Sequence, residues 1–482
     1  MNSVPQEDGD TIVAVPAGSE RNGRSAIVLR AHDGFALPEI PGTRLDERVF
    51  TATYYDTPQR RLERAGITLC RRMENGNNVW QLELPRRPEG RTLEARGGPA
   101  GPPALLARLL SGIINRGQLE EVQTVRTRRS GVRIGAKGLD TLEVLMDSKS
   151  VLDGRRVERE FTDIMLRPLE RDTRPLRALT KELRRAGARP MRHETTDDQP
   201  GKPGVAAVKA MLALQHRRML AHDPGVRLGD DPEDIHQLRV ATRRLRSTLR
   251  AAGPFLTDSR GEDARAELSW LADLLGAVRD LDVLIERVRD ERSRLDAQGQ
   301  PGAARVADVL VAEREAARAR LLAAMRTKRY ARLLARVEEL AEGASLGEED
   351  VPVEKLARRE FRKLRSAASS LDAQATDAEL HKVRVRVKRA RYAAEVAEAS
   401  AGRPAKTFVK HAKRLQDVAG ELQDAAVAEE RLRALTDGVA EPEAAFAAGR
   451  LVERARNRRN AAREAFPRAW SKVEKSGLKA WS

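Results

Sequence analysis

The chain of 482 residues has one cysteine, Cys70, and few aromatics: eight Phe, four Tyr and four Trp. A lone thiol excludes an intramolecular disulfide framework and any paired-cysteine zinc or redox site. The shortage of aromatics argues against a single-strand nucleic-acid binder, which stacks bases on such rings. No helix-turn-helix or RNA-recognition signature is present either. No apolar run approaches the ~18–20 residues of a membrane span. The start, with Glu7, Asp8 and Asp10 ahead of a short apolar stretch, is not a secretory signal. These absences lead to the expectation of a cytoplasmic protein with no membrane segment.

What is abundant is positive charge. The net charge is +17. Residues 1–200 carry 34 Lys+Arg against 29 Asp+Glu, and residues 201–482 carry 55 against 43. A surplus concentrated in the second part predicts a polyanionic partner. The competing reading is that Arg and Lys only solvate helix faces.

The chain changes character near residue 200. Before it, short apolar and β-branched runs predict strands at Ala26–Leu29, Val49–Tyr55, Gly66–Arg72, Val79–Leu84, Leu142–Met146 and Val157–Leu166. Helices are predicted near Pro102–Ile114 and Arg174–Ala186. The first 22 residues read as disordered, and residues 197–203 as a linker rich in Pro and Gly. After residue 204, apolar residues recur at helical spacing almost to the end. The breaks fall at His222–Pro232, Gly253–Glu262, Gln298–Gly302 and Gly343–Pro352. The last of these separates halves at about 204–342 and 353–478. The expected fold class is therefore α+β and multidomain: an N-terminal antiparallel β-domain followed by an all-α domain of stacked helical bundles.

The helical part repeats itself. At an offset of 145, His236, Arg239, Arg243, Arg244 and Arg246 lie over His381, Arg384, Lys388, Arg389 and Arg391. At an offset of 144, Leu275-Gly276 and Asp280 lie over Ala419-Gly420 and Asp424. Two matched blocks at nearly one offset imply duplication and pseudo-symmetry. On a helix, positions +3, +7 and +10 from each histidine fall within an arc of roughly 80°. Each block thus makes one cationic stripe about 15 Å long. Like charges three and four residues apart repel, so a stripe without acids calls for an external anion. Successive phosphates fit, because Arg forks two donors onto phosphate oxygens and Lys adds a point charge.

Flanking rows extend this surface: Lys202, Lys209, His216 and Arg217 in the first half, and Lys410 and Lys413 in the second. For these a solvated face competes equally. The histidines lack the spacing of a metal site, and adjacent Arg would repel a cation. Asp280, Asp282 and Asp424 are expected to orient basic residues across the bundle.

On the residues 233–250, 274–284, 379–396 and 413–427, the region from 204 to about 478 resembles a CHAD domain. That resemblance implies two pseudo-symmetric four-helix bundles with a basic groove that binds inorganic polyphosphate. On the residues 53–72, 80–85, 126–129, 142–147 and 157–166, the region 23–196 resembles a CYTH domain. That resemblance implies an antiparallel β-barrel of the triphosphate-tunnel type. It would put Arg71, Arg126 and Arg128 on the phosphates, and Glu143, Asp147, Glu158 and Glu160 among the acidic tunnel positions that hold a divalent metal. The opening Glu-x-Glu-x-Lys motif of that family is absent from Ala26–Asp33, and Glu83 stands where a lysine is usual.

The expectation is an inorganic polyphosphate-binding protein with a degenerate, inactive barrel and no cofactor for binding, located in the cytoplasm with polyphosphate granules. The alternative is a triphosphatase using Mg or Mn in the barrel. Nucleic acid is expected to bind only weakly and without sequence preference.

Overall fold

The computed structural model of the chain describes residues 13–16, 27–32, 35, 37–85, 91–114, 118–136, 139–169, 174–190, 203–295, 299–347, 352–371, 375–438 and 442–481. It divides into two compact units. The first comprises Met1–Asp197 and Leu220–Leu228, and the second Asp198–Met219 and Gly229–Ser482. The expected linker, apart from Pro203, lies outside the described residues.

The first unit is built on strands β1 (Val13–Pro16), β2 (Ile27–Ala31), β3 (Thr43–Asp56), β4 (Thr68–Glu74), β5 (Asn77–Leu84), β6 (Arg91–Arg96), β7 (Glu120–Ala136), β8 (Leu139–Asp153), β9 (Arg156–Pro168) and β10 (Arg189–Pro190). Helices α1 (Arg61–Ala65), α2 (Ala104–Ile114) and α3 (Arg174–Arg185) interrupt them. All pairings are antiparallel, in the order β1-β6-β5-β4-β3-β7-β8-β9-β2-β10. Within the first 22 residues, Val13–Pro16 pair with β6.

The sheet curls. Glu83 on β5 feels the charge of Lys149 on β8, four strands away. At ~4.8 Å per strand, a flat sheet would hold them about 19 Å apart. Tyr54 on β3 likewise feels Asp147 on β8 and Asp163 on β9. The charged face is therefore the concave one. The other face carries the apolar core. There Leu29, Leu142, Val144, Ile164 and Leu166 pack with Leu176, Leu179 and Leu183 of α3, and Trp80 is wholly buried. Sequence reading missed β7, the long central strand, because charge on both of its faces hides the apolar alternation that marks a strand.

Next comes α4 (Pro203–Leu228), which belongs to the second unit as far as Met219 and to the first from Leu220. The second unit continues with α5 (Pro232–Ala251), α6 (Arg260–Arg292), α7 (Gly299–Met325), α8 (Lys328–Ala341), α9 (Val353–Ser369), α10 (Asp377–Val396), α11 (Glu398–Gly438) and α12 (Pro442–Trp481). The predicted break at 222–232 shrinks to Gly229–Asp231, since α4 runs on through Pro224. Helix α11 kinks at Gly402, whose φ is 65°.

The duplication appears directly in the elements. Adding 145 to the ends of α5 gives the ends of α10. The single helix α12 takes the place of α7 and α8 together. Across the repeats, α5 touches α10 and α7 touches α12, each helix meeting its own counterpart, as a two-fold relation requires. The halves also share one core. Leu284, Ile285 and Val288 of α6 pack with Val306 and Leu310 of α7, Leu432 of α11 and Leu451 of α12. The close α7–α12 approach depends on Gly302, where a Cβ would collide with the Glu443 carbonyl.

Candidate anion-binding site

Both stripe helices are started by their own sequence. Asp231 caps α5 by accepting from Glu233 N at 2.9 Å, with Pro232 as the first helical residue. Thr376 caps α10 in a reciprocal box with Glu379. On the buried side, Ile235, Leu238 and Leu245 of α5 and Leu380, Val383 and Val387 of α10 fix the rotation of each helix. The stripes therefore have no freedom to turn away from each other.

Arg239 and Arg243 of α5 come together with Arg384 and Lys388 of α10. Burial, and then the charges of Arg384, Arg243 and Arg239, push the Lys388 ammonium down to about 7. Asp424 on α11 opposes that shift. Arg384 is lowered first by burial and then by Arg243 and Arg239, against Asp424 and Asp280. Its Nε is buried without a hydrogen-bond partner. Arg243 Nε donates to Tyr392 Oη at 3.0 Å and ties α5 to α10. Arg239 lies along α6, with Nη2 3.4 Å from Asp280 Oδ1 and Nη1 3.4 Å from the Ala272 carbonyl. It occupies the space that a side chain at Gly276 would need.

The two histidines differ. His236 is held below its usual value by burial, then by Arg279, with Arg243 and Arg218 adding to the effect. His381 Nδ1 lies 2.7 Å from Gln423 Oε1. An amide oxygen accepts, so Nδ1 carries the proton.

Beside this cluster opens a cavity of about 600 Å³ rimmed by Arg239, Arg287, Arg320, His381, Arg384 and Arg431. Arg287 Nη2 donates to Glu421 Oε2 at 2.8 Å, while its Nη1 is buried without a partner. The sequence reading did not name Arg279, Arg287, Arg320 or Arg431 as anion-binding residues. The repeat held the signal for two of them, since the 144-residue offset that joins Asp280 to Asp424 also joins Arg287 to Arg431.

Other expected residues fall elsewhere. Arg391 is only 5% exposed. Its guanidinium donates to Gln416 Oε1 at 2.9 Å and pairs with Glu395. It is an internal strut and is not open to a ligand. Its partner Glu395 also stands 4.0 Å from Arg244, whose Nε is buried. Arg246 and Arg389 are both influenced by Arg250 and Arg265, which places them at the far end of the stripes. His216 is buried, and Arg217 is exposed on α4. Lys209 rests against Gly343. Lys410 and Lys413 are exposed on α11, with Lys410 beside His411 rather than at the cavity. Lys202 lies outside the described residues. Asp282 binds Arg314 at 2.9 Å.

In the first unit, strand register corrects the assignment of tunnel residues. Arg129, Asp147, Asp163 and Arg30 lie in one row across β7, β8, β9 and β2, so their side chains share a face. Arg133, Glu143 and Arg167 form a second row on the same face. Glu83, Gln81, Cys70 and Tyr54 belong to that face too. Arg71, Arg126 and Arg128 are one residue out of phase, which in a strand means the opposite face. Arg71 lies opposite Trp80 there, and Arg128 reaches Glu47 at 3.5 Å in the open. Glu160 is on that opposite face as well, accepting from Ser150 at 2.7 Å. Glu158 sits at a bulge where the register shifts.

The charges of the concave face are paired with each other. Asp163 binds Arg30 and Lys149, both at 2.9 Å. Asp147 binds Arg129 at 2.6 Å, and Glu143 binds Arg133 at 3.0 Å and Arg167 at 3.2 Å. Glu83 is raised by burial, and the Cys70 thiol is pushed up to about 12 for the same reason. Among the described residues, no group of three His, Cys, Asp or Glu side chains is placed to hold a metal ion.

A helical unit with duplicated His-led stripes in contact defines the class, and comparison with known proteins agrees. The CHAD domain model matches residues 210–433. Rv2226 of Mycobacterium tuberculosis is 31% identical over 497 residues, covering 92% of each chain. The chain belongs to the same family as that protein along nearly its whole length, and its helical unit is a CHAD domain. The solved CHAD domain from the plant Ricinus communis is similar at 25% identity and a TM-score of 0.46, covering 61% of this chain and 97% of that one. A putative adenylate cyclase from Bacillus halodurans is similar at 16% identity and a TM-score of 0.23, covering 31% and 80%. Among the described residues, no helix is long and apolar enough to cross a membrane.

Proposed function

We propose that the protein binds inorganic polyphosphate through the cationic cluster where α5 meets α10, and that its β-unit is a CYTH-type barrel without hydrolytic activity. One observation carries the binding reading. Arg239, Arg243, Arg384 and Lys388 are gathered from both repeats until Arg384 and Lys388 are held below their ordinary values, with Asp424 opposing both and Asp280 opposing the shift of Arg384. Lys388 has no hydrogen bond or ion pair among the described residues. A folded protein keeps such mutual repulsion where an anion relieves it. A chain of phosphates can lie across both stripes and take forked donors from each Arg. Duplex nucleic acid would gain only the charge term, which weakens steeply with salt.

The reading of the barrel rests on charge pairing. A tunnel that grips triphosphate needs free cations, and one that holds a divalent metal needs free carboxylates. On the concave face Asp147, Asp163 and Glu143 are each occupied by Arg or Lys, so the donor set does not fit Mg²⁺ or Mn²⁺. Glu83 adds an acid on that face where phosphate would lie, raised by desolvation within the curled sheet.

One sample tests both readings: full-length protein with long-chain polyphosphate, with and without Mg²⁺, followed for binding and for released phosphate. Binding without release is expected. Metal-dependent release that Asp147→Ala abolishes would overturn the reading of the barrel. For the cluster, Arg239→Glu with Arg384→Glu is expected to weaken binding far more than Arg292→Glu with Arg294→Glu. Equal losses would reduce the site to net charge.

A further inference from the structure

The cavity beside the cationic cluster has a floor that a phosphate chain cannot use. Ala277, Leu281 and Leu284 of α6, Ala316 of α7, and Val427 and Ala428 of α11 form it. Val427 stands 44% exposed although it is a large apolar side chain. The same cavity is lined by five arginines and His381, together with Asp280, Glu313 and Asp424. Asp280 and Glu313 are engaged by Arg239 and Arg431. Arg287 is held by Glu421, and the charge that is left, on Arg384 and Arg320, shares the cavity with an apolar surface. Inorganic polyphosphate has charge at every unit and no apolar part, so it would leave Val427 and its neighbours wet.

From this we infer that the cavity takes a phosphate chain ending in a planar organic group, and that the ligand class is a nucleoside 5′-polyphosphate. The inference rests on the polyphosphate-binding reading of the adjacent cluster and adds an end-group site to it. The phosphates lie toward Arg239 and Arg384, and the heterocycle lies on the floor. Arginine replaces the missing aromatic side chains, because a guanidinium plane stacks on a base as well as on a ring. A volume of about 600 Å³ falls within the ~300–1,000 Å³ of small-molecule sites.

The test compares ATP with tripolyphosphate on the full-length protein, without divalent metal and at one ionic strength. ATP has one fewer ionisable oxygen, so charge alone favours tripolyphosphate. ATP is expected to bind about tenfold tighter, the return on burying roughly 60 Å² of apolar surface. Ala316→Phe fills the floor from an exposed position. It should bring ATP down to the level of tripolyphosphate while tripolyphosphate changes less than about twofold. Val427→Thr keeps shape and charge and should remove part of the ATP preference. If tripolyphosphate binds and ATP binds no better, the end-group site is wrong and polyphosphate binding stands. If Ala316→Phe weakens both ligands equally, the phosphates themselves occupy the cavity and the inference fails. If neither ligand binds, the end-group site fails, and the polyphosphate reading fails with it only if long-chain polyphosphate does not bind in the same assay.

Discussion

Lys388 offers a quantitative test of how the cationic cluster works. Its ammonium, ordinarily at 10.5, is pushed down to about 7 by burial and by Arg384, Arg243 and Arg239, with Asp424 opposing. In the free protein it is largely neutral at pH 8 and largely charged at pH 6. Bound phosphates favour the charged form, so binding at pH 8 takes up a proton that binding at pH 6 does not. If the bound value returns to the ordinary one, affinity falls by as much as about a hundredfold between pH 6 and pH 9, or roughly 2.7 kcal/mol. Titration calorimetry at pH 8 in buffers of different ionisation enthalpy counts the protons, and competition binding from pH 6 to pH 9 gives the slope. Lys388→Met keeps the length and removes the titration, so it should flatten the upper part of that slope. The same shift acts on folding with the opposite sign. The unfolded chain holds more protons than the folded one between about 7 and 10.5, so the unliganded helical unit gains stability as pH rises through that window. A slope that persists in Lys388→Met, or no proton uptake at pH 8, would refute the reasoning.

Gly276→Ala puts a methyl group where the Arg239 guanidinium lies, while at the repeat position Gly420 a Cβ meets nothing within 4 Å. Gly276→Ala should therefore weaken polyphosphate binding by roughly three- to tenfold with little loss of stability, and Gly420→Ala should leave binding unchanged, both read by the same competition assay. Replacing Trp80, which is wholly buried against the Tyr55 ring and donates Nε1 to the Gly98 carbonyl at 3.0 Å, with Ala should cost the β-unit about 3–5 kcal/mol in denaturant unfolding. Polyphosphate affinity of the folded variant should not change. Asp56 accepts from the backbone N–H groups of Thr57, Leu62 and Glu63 at 2.6, 2.9 and 3.0 Å. Asp56→Ala should therefore destabilise the same unit by about 1–2 kcal/mol, and an unchanged melting curve would show that those donors find water instead.

Much of the helical unit was legible in the linear sequence because its signals are local. The 145-residue offset foretold that α5 and α10 are counterparts, and the spacing of His236, Arg239 and Arg243 placed them on one face before any packing was known. Helical periodicity survives as long as one face is buried and the other is wet. The β-unit was harder to read, since a tunnel-lined sheet carries charge on its concave face and gives β7 no clean alternation. Register puts Arg71, Arg126 and Arg128 on the face opposite to Arg129, Asp147 and Asp163, and residue type alone does not record which face a strand residue takes.

By itself, then, the chain determined its two-part organisation, its duplication and the identity of the cationic stripes, all of which depend on residue type and short-range spacing. Tertiary structure decided which of those cations are free. Arg391 and Lys388 sit on the same stripe, yet Arg391 is consumed by Gln416 and Glu395 while Lys388 faces only other cations and Asp424. Glu395 stands four residues along the same helix, a pairing that spacing records, but Gln416 comes from α11 and Arg239 and Arg243 come from the other repeat. Charge interacts through space with whatever the fold brings near, and the spacing along one helix does not record those partners.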